Sequence, residues 1–270
     1  MRIIVVVSLF LLAFAAGAPA GVLNGNIITD KILTLAESPW LVTSNVEVRF
    51  GATLTVEPGV EVLFYGPYRI VTDGDAANAI VAIGTPADSI VFKSANPNPG
   101  PEDWEWIEVF NSSGSAFRHC IFRHADQTLR ISNCSPAVEF CTFRENKTNI
   151  WCVNADPLIQ SCTITDWAFV GIFLQSGSSP TIRECNIFRG RSGTRQGESI
   201  YLSIYNPPTM VTIDATRNWW GTTDLGEIED SIYHGVDTTD LWGIVDFAPP
   251  LEEVPVENVS WGAIKLLFKD

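Results

Sequence analysis

Four cysteines recur at nearly constant spacing through the middle of the chain. From Cys120 to Cys141, Cys162 and Cys185, the intervals are 21, 21 and 23 residues. Each cysteine has an apolar residue three positions before it and another two positions after it. A self-similar period of about 20 to 25 residues, built from short β-rich segments, is typical of a solenoid. The chain is therefore expected to stack short strands coil upon coil.

Two kinds of solenoid fit this period, the leucine-rich repeat and the β-helix. The inward positions hold Ile, Val, Phe and Cys rather than a dominant leucine, and no asparagine ladder is evident. Such residues suit parallel strands that are buried on one face. The two residues before each cysteine, such as Arg118 and His119, break the alternation of a strand, which indicates a corner. The pattern therefore favours a parallel β-helix.

The six cysteines are expected to be free thiols. Equivalent residues of adjacent coils lie about 4.8 Å apart, so the repeated cysteines form an interior column of small apolar side chains. Disulfides between adjacent coils are compatible with that distance and remain an alternative. Cys134 lies in a turn rather than in this column. No Cys-x-x-Cys motif or nearby histidine pair supplies tetrahedral ligands, so the cysteines do not predict a metal site.

The N-terminal residues 1–20 read as a secretory signal. Arg2 is followed by an apolar run too short for a comfortable membrane span, and small residues precede Gly21. Residues 21–247 are then predicted to form one solenoid with a C-terminal cap from about residue 218, and residues 248–270 a Pro- and Glu-rich linker with a short tail. No later stretch reaches transmembrane length. The net charge of −14 disfavours nucleic acid as a partner.

Several segments resemble a known family. They are Gly51 to Val60 (GATLTVEPGV), Ala82 to Thr85, Ile90 to Phe92, and the closing Asn218-Trp219-Trp220-Gly221. These residues resemble secreted bacterial right-handed parallel β-helix repeat proteins of the pectin-lyase-like superfamily. The resemblance covers roughly residues 40–250 and implies a three-sheet, right-handed β-helix, located outside the cell or at its surface. It implies no single function, because family members range from polysaccharide lyases, hydrolases and epimerases to surface proteins without known activity.

One outward column offers a candidate binding surface. If the recurrent apolar pairs point inward, the residues between them point outward, and these are Glu108, Arg130, Trp151, Phe173 and Tyr201. Three aromatic residues in successive coils could form a stacking platform for a polysaccharide. Alternatively, the rings pack on one another as an outer ladder. Glu108 and Arg130 are then expected to form a surface ion pair.

Two further groups of charged residues are candidates. A second outward column follows the cysteine strand, and its residue types suit an anionic polysaccharide, although salt-bridged turns would have the same composition. The column holds Arg123, Arg144, Thr165 and Phe188, flanked by His124, Glu145, Asp166 and Arg189. An insertion between Phe188 and Ser199 carries three arginines that suit carboxylate or sulfate groups, although they could instead pair with neighbouring acids: Arg189, Arg191 and Arg195.

No cofactor is expected. The turn Asp73-Gly74-Asp75 with Asn78 could hold calcium, but it lacks a full set of spaced ligands, so a solvated turn is the competing interpretation. Trp219 and Trp220 are expected to plug the last coil rather than bind a ligand.

The sequence favours an extracellular structural or polysaccharide-binding module, whose expected partner is a polysaccharide or a component of the cell surface. No Ser/His/Asp arrangement, phosphate-binding loop or paired-carboxylate motif stands out, so the interpretation leans away from catalysis. The alternative is a polysaccharide-active enzyme: a lyase, an epimerase or a hydrolase. A carboxylate group facing an open groove would favour that alternative.

Overall fold

The protein is described by a computed structural model over residues 19–188, 200–205, 210–237 and 243–254. Within these ranges it is an all-β solenoid of parallel strands with one short helix. The first coil begins with β1 (Gly21–Ile27) and β2 (Lys31–Leu33), and a 3-10 turn at Leu35–Glu37 leads into the long strand β3 (Trp40–Val48). β3 pairs with β1 along its length. It bends between two sheets, because its first residues pair with β5 (Glu61–Phe64) and its last residues with β6 (Ile70–Thr72).

The solenoid has three faces. The first face, sheet A, continues from the start of β3 through six further strands: β5 (Glu61–Phe64), β8 (Ile90–Ser94), β11 (Cys120–Arg123), β14 (Thr142–Arg144), β17 (Thr163–Thr165) and β20 (Asn186–Phe188).

The second face, sheet B, continues from the end of β3: β6 (Ile70–Thr72), β9 (Ile107–Phe110), β12 (Gln127–Ser132), β15 (Thr148–Val153), β18 (Val170–Gln175), β21 (Ile200–Tyr205) and β23 (Ile232–Tyr233).

The third face, sheet C, starts at β2 and continues through eight strands: β4 (Thr53–Val56), β7 (Ala79–Ile83), β10 (Ala116–Arg118), β13 (Ala137–Glu139), β16 (Leu158–Gln160), β19 (Thr181–Arg183), β22 (Val211–Asp214) and β24 (Gly243–Asp246). The chain passes from A to B to C in each regular coil, so the predicted three-sheet β-helix is confirmed.

Residues in the left-handed backbone conformation make the corners. Between sheets C and A these are His119, Phe140, Ser161 and Glu184, with φ between 48° and 56°. They lie immediately before the repeated cysteines, where the break in alternation predicted a corner. The corner between sheets A and B contains His124, Glu145 and Asp166 in the same conformation.

The corner between sheets B and C carries a short asparagine stack. Asn111, Asn133 and Asn154 all have positive φ, and Asn154 Nδ2 donates to Asn133 Oδ1 at 2.8 Å. Asn111 Nδ2 donates instead to Gly74 O, so this corner does not form the continuous asparagine ladder of a leucine-rich repeat. Asparagine is enriched in the left-handed region, which explains its recurrence here. The three side chains are exposed, so they do not contribute to the core.

The interior beneath sheet A consists of two columns. The cysteine column contains Cys120, Cys141, Cys162 and Cys185, all buried, and no cysteine of the chain forms a disulfide, as predicted. The second column stacks Phe92, Phe122 and Phe143, whose ring centroids lie 5.0 and 4.8 Å apart. Ile164 and Ile187 continue this column.

After the last cysteine of the column, residues 217–220 occupy the same positions in their coil as residues 184–187 do in the coil before. Arg217 has positive φ like Glu184, its carbonyl accepts from Glu184 N, and Asn186 bridges to Trp219. Asn218 therefore follows Cys185 in the cysteine column, and Trp220 follows Ile187. Asn218 Oδ1 accepts from Cys185 N at 2.8 Å, while its Nδ2 donates to two carbonyl oxygens at 2.7 Å.

Trp220 is 1% exposed, as predicted for a residue that plugs the last coil, whereas Trp219 is only half-buried. The chain then forms the helix α1 (Leu225–Asp230), which Asp224 caps by accepting from Gly226 N and Glu227 N. No helix within the described ranges has the length and hydropathy to span a membrane.

Candidate functional site

The outer face of sheet B carries the first predicted column. The strand register places Glu108, Arg130, Trp151 and Phe173 opposite one another on successive coils, as predicted. All four side chains are half-buried. The expected ion pair is also present, with Arg130 Nε 3.9 Å from a Glu108 carboxylate oxygen. Because both side chains are partly solvated, this pair contributes little to stability.

Tyr201 does not belong to this column. The register pairs Ile172 with Leu202, so Ser203 is the residue opposite Phe173. The prediction was wrong because β21 alternates Ile200, Leu202 and Ile204, and this pattern allows two registers that differ by two residues. The arginine-bearing insertion before β21 changes the coil length, so the period does not decide between them. The Tyr201 side chain itself lies outside the described part of the structure.

Trp106 extends the column and was missed in the sequence. Its ring lies 5.0 Å from the Arg130 guanidinium, which in turn lies 5.5 Å from the Trp151 ring. Trp151 and Phe173 meet edge to face, with centroids 4.8 Å apart and planes at 89°. Trp106 lies two residues before Glu108 on the same strand path, so strand alternation was the available signal. We call Trp106, Arg130, Trp151 and Phe173 the aromatic stripe.

Polar side chains border the aromatic stripe on one side. Trp151 Nε1 donates to Gln175 Oε1 at 2.9 Å, and Ser132 Oγ donates to Glu108 Oε1 at 3.0 Å. These bonds hold the Trp151 ring and the Glu108 carboxylate in place. The stripe is therefore an outer ladder, the alternative interpretation of the sequence, and it also presents half-buried rings and hydrogen-bonding groups to solvent.

The second predicted column converges on one carboxylate at the corner between sheets A and B. Glu145 accepts from Arg123, lies 3.5 Å from His124 Nε2 and lies 3.8 Å from Arg144 Nε. The hydrogen bond from His124, followed by that from Arg123, lowers the pKa of Glu145 to about 2, against the opposing effect of burial. Glu145 is therefore ionised at neutral pH and held by its neighbours, which is the salt-bridged alternative.

This column does not form a continuous outward face. Arg123 pairs in register with Arg144, and Thr165 with Phe188, as predicted. However, Arg144 is only 8% exposed and Thr165 is fully buried. The Arg144 side chain lies toward Glu145 rather than out into solvent, so the expected groove of charged residues is interrupted.

The remaining candidates divide into two groups. Arg189, Arg191 and Arg195 lie outside the described residues. In the turn proposed for calcium, Asp73 accepts from Arg49 Nε and Asp75 N, both at 3.2 Å, and also from Asn78 Nδ2. These contacts occupy both carboxylate oxygens. Across the described ranges no three His, Cys, Asp or Glu side chains converge as a metal site would require.

A cavity of about 360 Å³ opens where the chain turns from sheet A to sheet B, between the ends of β5 and β8. Its lining includes Phe64, Tyr65, Asn96 and Asp103. Another cavity, of about 510 Å³, lies at the C-terminal end against Phe188, Trp219 and Trp220. Neither was predicted from the sequence, because both depend on loops that depart from the repeat.

Comparisons with known proteins bear on the fold. The family model described as "Right handed beta helix region" matches residues 106–215. A fruit fly protein, "Protein bark beetle" of Drosophila melanogaster, is 44% identical over 72 residues, which is 26% of this chain and 2% of that protein. This chain thus spans only a small part of that relative's length. No solved structure matches significantly. The family match over the regular coils, together with their parallel stacking, identifies the fold of this chain as a right-handed parallel β-helix.

Proposed function

We propose that this β-helix is an extracellular, non-catalytic module that binds a polysaccharide along the outer face of sheet B. The observation that carries the proposal is the aromatic stripe, in which rings and a guanidinium recur coil by coil at separations of 4.8 to 5.5 Å. Rings that are held half-buried lose little conformational entropy when a sugar packs against them. The extracellular location rests on the predicted signal sequence.

The polar border supplies the second element that a sugar needs. Glu108 and Gln175 present oxygen acceptors beside the rings, and Arg130 presents guanidinium donors. Sugar hydroxyls both donate and accept, so such a mixed border matches them. A flat face that repeats with the coils also suits an extended polymer better than a compact ligand.

The competing function is a polysaccharide-active enzyme. Acid–base catalysis requires a carboxyl group whose pKa lies near the working pH and which can reach the substrate. Glu145 fits neither condition, because its pKa is lowered to about 2 and its Oε2 accepts from Arg123 and lies 3.5 Å from His124 Nε2. These contacts support the binding function over a catalytic one.

Affinity electrophoresis in gels that contain single plant and algal polysaccharides tests the proposal. Replacing Trp151 and Phe173 together by alanine should weaken retention about tenfold or more, because each ring contributes about 0.5–1.5 kcal/mol beyond its buried area. Phe50→Ala is the matched control: Phe50 is 71% exposed and lies under the Arg49 guanidinium, but outside the aromatic stripe. Equal loss in the control would contradict the proposal.

A parallel assay separates binding from catalysis. Each retained polysaccharide is incubated with the protein, and new reducing ends and new unsaturated ends are measured. The proposal expects neither to rise above background. Release of either product by the unaltered protein, lost in Glu145→Gln, would replace the binding function with the enzymatic one.

A further inference from the structure

The cavity between the ends of β5 and β8 has the features of a built site. Its lining consists of the segment Phe64 to Gly66 on one coil, the segment Ser94 to Pro97 on the next coil, and Asp103. Its volume of about 360 Å³ lies at the lower end of the usual range of about 300–1,000 Å³ for small-molecule sites. A ligand the size of one sugar ring fits this volume better than a polymer segment.

The walls are held by hydrogen bonds that do not require a ligand. Ala95 N donates to Phe64 O at 2.9 Å, and Asp103 N donates to His124 O at 3.0 Å. Asn96 N donates to Ser94 Oγ, and Gly100 N donates to Asp103 Oδ2. Beneath them the Phe64 ring stacks on Trp104 with centroids 4.2 Å apart. The cavity is thus pre-organised, which lowers the entropic cost of binding.

The lining combines an exposed ring with an unused donor and an unused acceptor. Tyr65 is 59% exposed although it lies beside the core residue Phe64. Asn96 Oδ1 accepts from Asn98 N, which leaves its amide hydrogens available, and Asp103 Oδ2 accepts from Gly100 N, which leaves Oδ1 available. A pyranose ring has an apolar face for the tyrosine and hydroxyls that both donate and accept.

The charge of the lining restricts the ligand. Asp103 is the only charged residue that lines the cavity. Two cations on neighbouring segments are engaged in ion pairs: Lys93 Nζ lies 2.7 Å from Glu61, and Arg69 lies 2.8 Å from Glu105. A carboxylate or sulfate on the ligand would face Asp103 without a compensating cation, and like charges at close range repel.

We propose that this cavity binds a single neutral sugar ring and discriminates against acidic sugars. The proposal rests on the proposed glycan-binding function for its ligand class, but it names a different site from the aromatic stripe. Tyr65 would pack against the apolar face of the ring, Asp103 would accept from its hydroxyls, and Asn96 would donate to a ring or hydroxyl oxygen. A site of this kind would bind the terminal sugar or a branching sugar of a polysaccharide, whereas the outer face of sheet B would bind along the polymer.

Backbone amide NMR shifts of the full protein test the inference, with the methyl glycosides of glucose, mannose and galactose as neutral probes and that of glucuronic acid as the acidic probe. At least one neutral probe should shift the amides of Gly66, Ala95 and Asn96. The glucuronide should bind at least about tenfold more weakly because of Asp103. Tyr65→Ala should lower the affinity for the neutral probe roughly tenfold, while Tyr65→Phe should retain most of that affinity.

The charge effect has its own variant and control. Asp103→Asn should bring the glucuronide close to the affinity of the neutral probe, since the amide keeps an acceptor for Gly100 N and removes the repulsion. Asp30→Asn is the control, because Asp30 also accepts a single backbone bond, from Thr53 N at 2.8 Å, but lies outside the cavity. This control should leave both affinities unchanged.

Three outcomes overturn the inference. They are no shift with any neutral probe, equal binding of the glucuronide by the unaltered protein, or binding that Tyr65→Ala does not weaken. If polysaccharide retention still depends on Trp151 and Phe173 in that case, the proposed function stands and only the cavity is wrong. If the neutral probes bind as expected while the Trp151 and Phe173 variant retains polysaccharide normally, the aromatic stripe is wrong and the cavity stands.

Discussion

The interior beneath sheet A and the outer face of sheet B both carry ladders of aromatic rings, but the two ladders differ in geometry. Inside, Phe92, Phe122 and Phe143 stack with interplanar angles of 7° and 12°. Outside, Trp151 and Phe173 meet at 89° although their centroids are equally close, at 4.8 Å. The interior encloses each ring on every side, so each coil must supply a similar shape. The outer face encloses its rings on one side only, so each coil can differ.

This difference separates residues that specify the fold from residues that are available for function. An interior column repeats because close packing tolerates neither voids nor added volume. An outer column is constrained only by contacts along the sheet, and Glu108, Arg130, Trp151 and Phe173 accordingly show no common residue type. The variants below test whether the two ladders differ in energy as they do in geometry.

The largest effect is expected where the interior column ends. Trp220→Ala should reduce the free energy of unfolding by about 3–5 kcal/mol, the usual range for large-to-small changes at a fully buried site. Urea denaturation at neutral pH measures this loss. Trp219→Ala is the matched control, because the adjacent ring is only half-buried. A Trp219 variant as unstable as the Trp220 variant would show that the cap does not continue the interior column.

A smaller loss is expected in the cysteine column. Cys141→Ser should cost about 1–3 kcal/mol, because a hydroxyl enters a fully buried, largely apolar column. Burial raises the pKa of the Cys141 thiol well above its ordinary value, so this thiol should also resist alkylation in the native protein. Cys134→Ser, at a partly buried position, should cost less. Rapid alkylation of all six thiols without denaturant would contradict the burial of the column.

The corner between sheets A and B adds a pH-dependent contribution. The pKa of Glu145 is about 2 in the folded protein against an ordinary value of 4.5. A lowered folded-state pKa stabilises the protein above pH 4.5, and that stability is lost as pH falls from about 4.5 to about 2. Glu145→Gln should therefore cost about 2 kcal/mol at pH 7 and almost nothing near pH 2, after allowance for partial solvent screening. A cost that does not change with pH would show that the loss comes from packing.

The sequence predicted the interior well because the interior repeats. The step from Cys120 to Cys141 to Cys162 fixes which residues are equivalent, and burial then fixes which of them face inward. The corner before each cysteine was predicted from the two preceding residues, which break the alternation of apolar and polar residues along the strand. The same reasoning identified Trp220 as a buried residue of the cap, although it did not show that Asn218 and Trp220 occupy the cysteine and phenylalanine positions of another coil.

Prediction failed where the repeat ends or where side chains face outward. The insertion before β21 changes the coil length, so the repeat period no longer predicts which residues are equivalent. The alternation of Ile200, Leu202 and Ile204 fits two registers, and the wrong one placed Tyr201 in the column position that Ser203 occupies. Trp106 was missed because it lies one residue before Ile107, outside the apolar pair Ile107 and Val109 that defined the repeat in this coil. The cavity at Tyr65 and Asp103 depends on loops of different length in two coils, which no single-coil pattern encodes.

The smallest expected effect compares the two ladders directly. A double-mutant cycle on Trp151 and Phe173 should give a coupling energy of about 0.5–1 kcal/mol, because the pair makes one edge-to-face contact and solvent can replace part of it. The same cycle on Phe122 and Phe143 should give a coupling above about 1 kcal/mol, since alanine at both positions lets the fully buried column relax around a single larger cavity. Urea denaturation of the two sets of variants measures both couplings. Equal coupling energies would mean that the outer ladder stabilises the fold as much as the inner one does. The energetic argument that the aromatic stripe is a surface for binding would then fail.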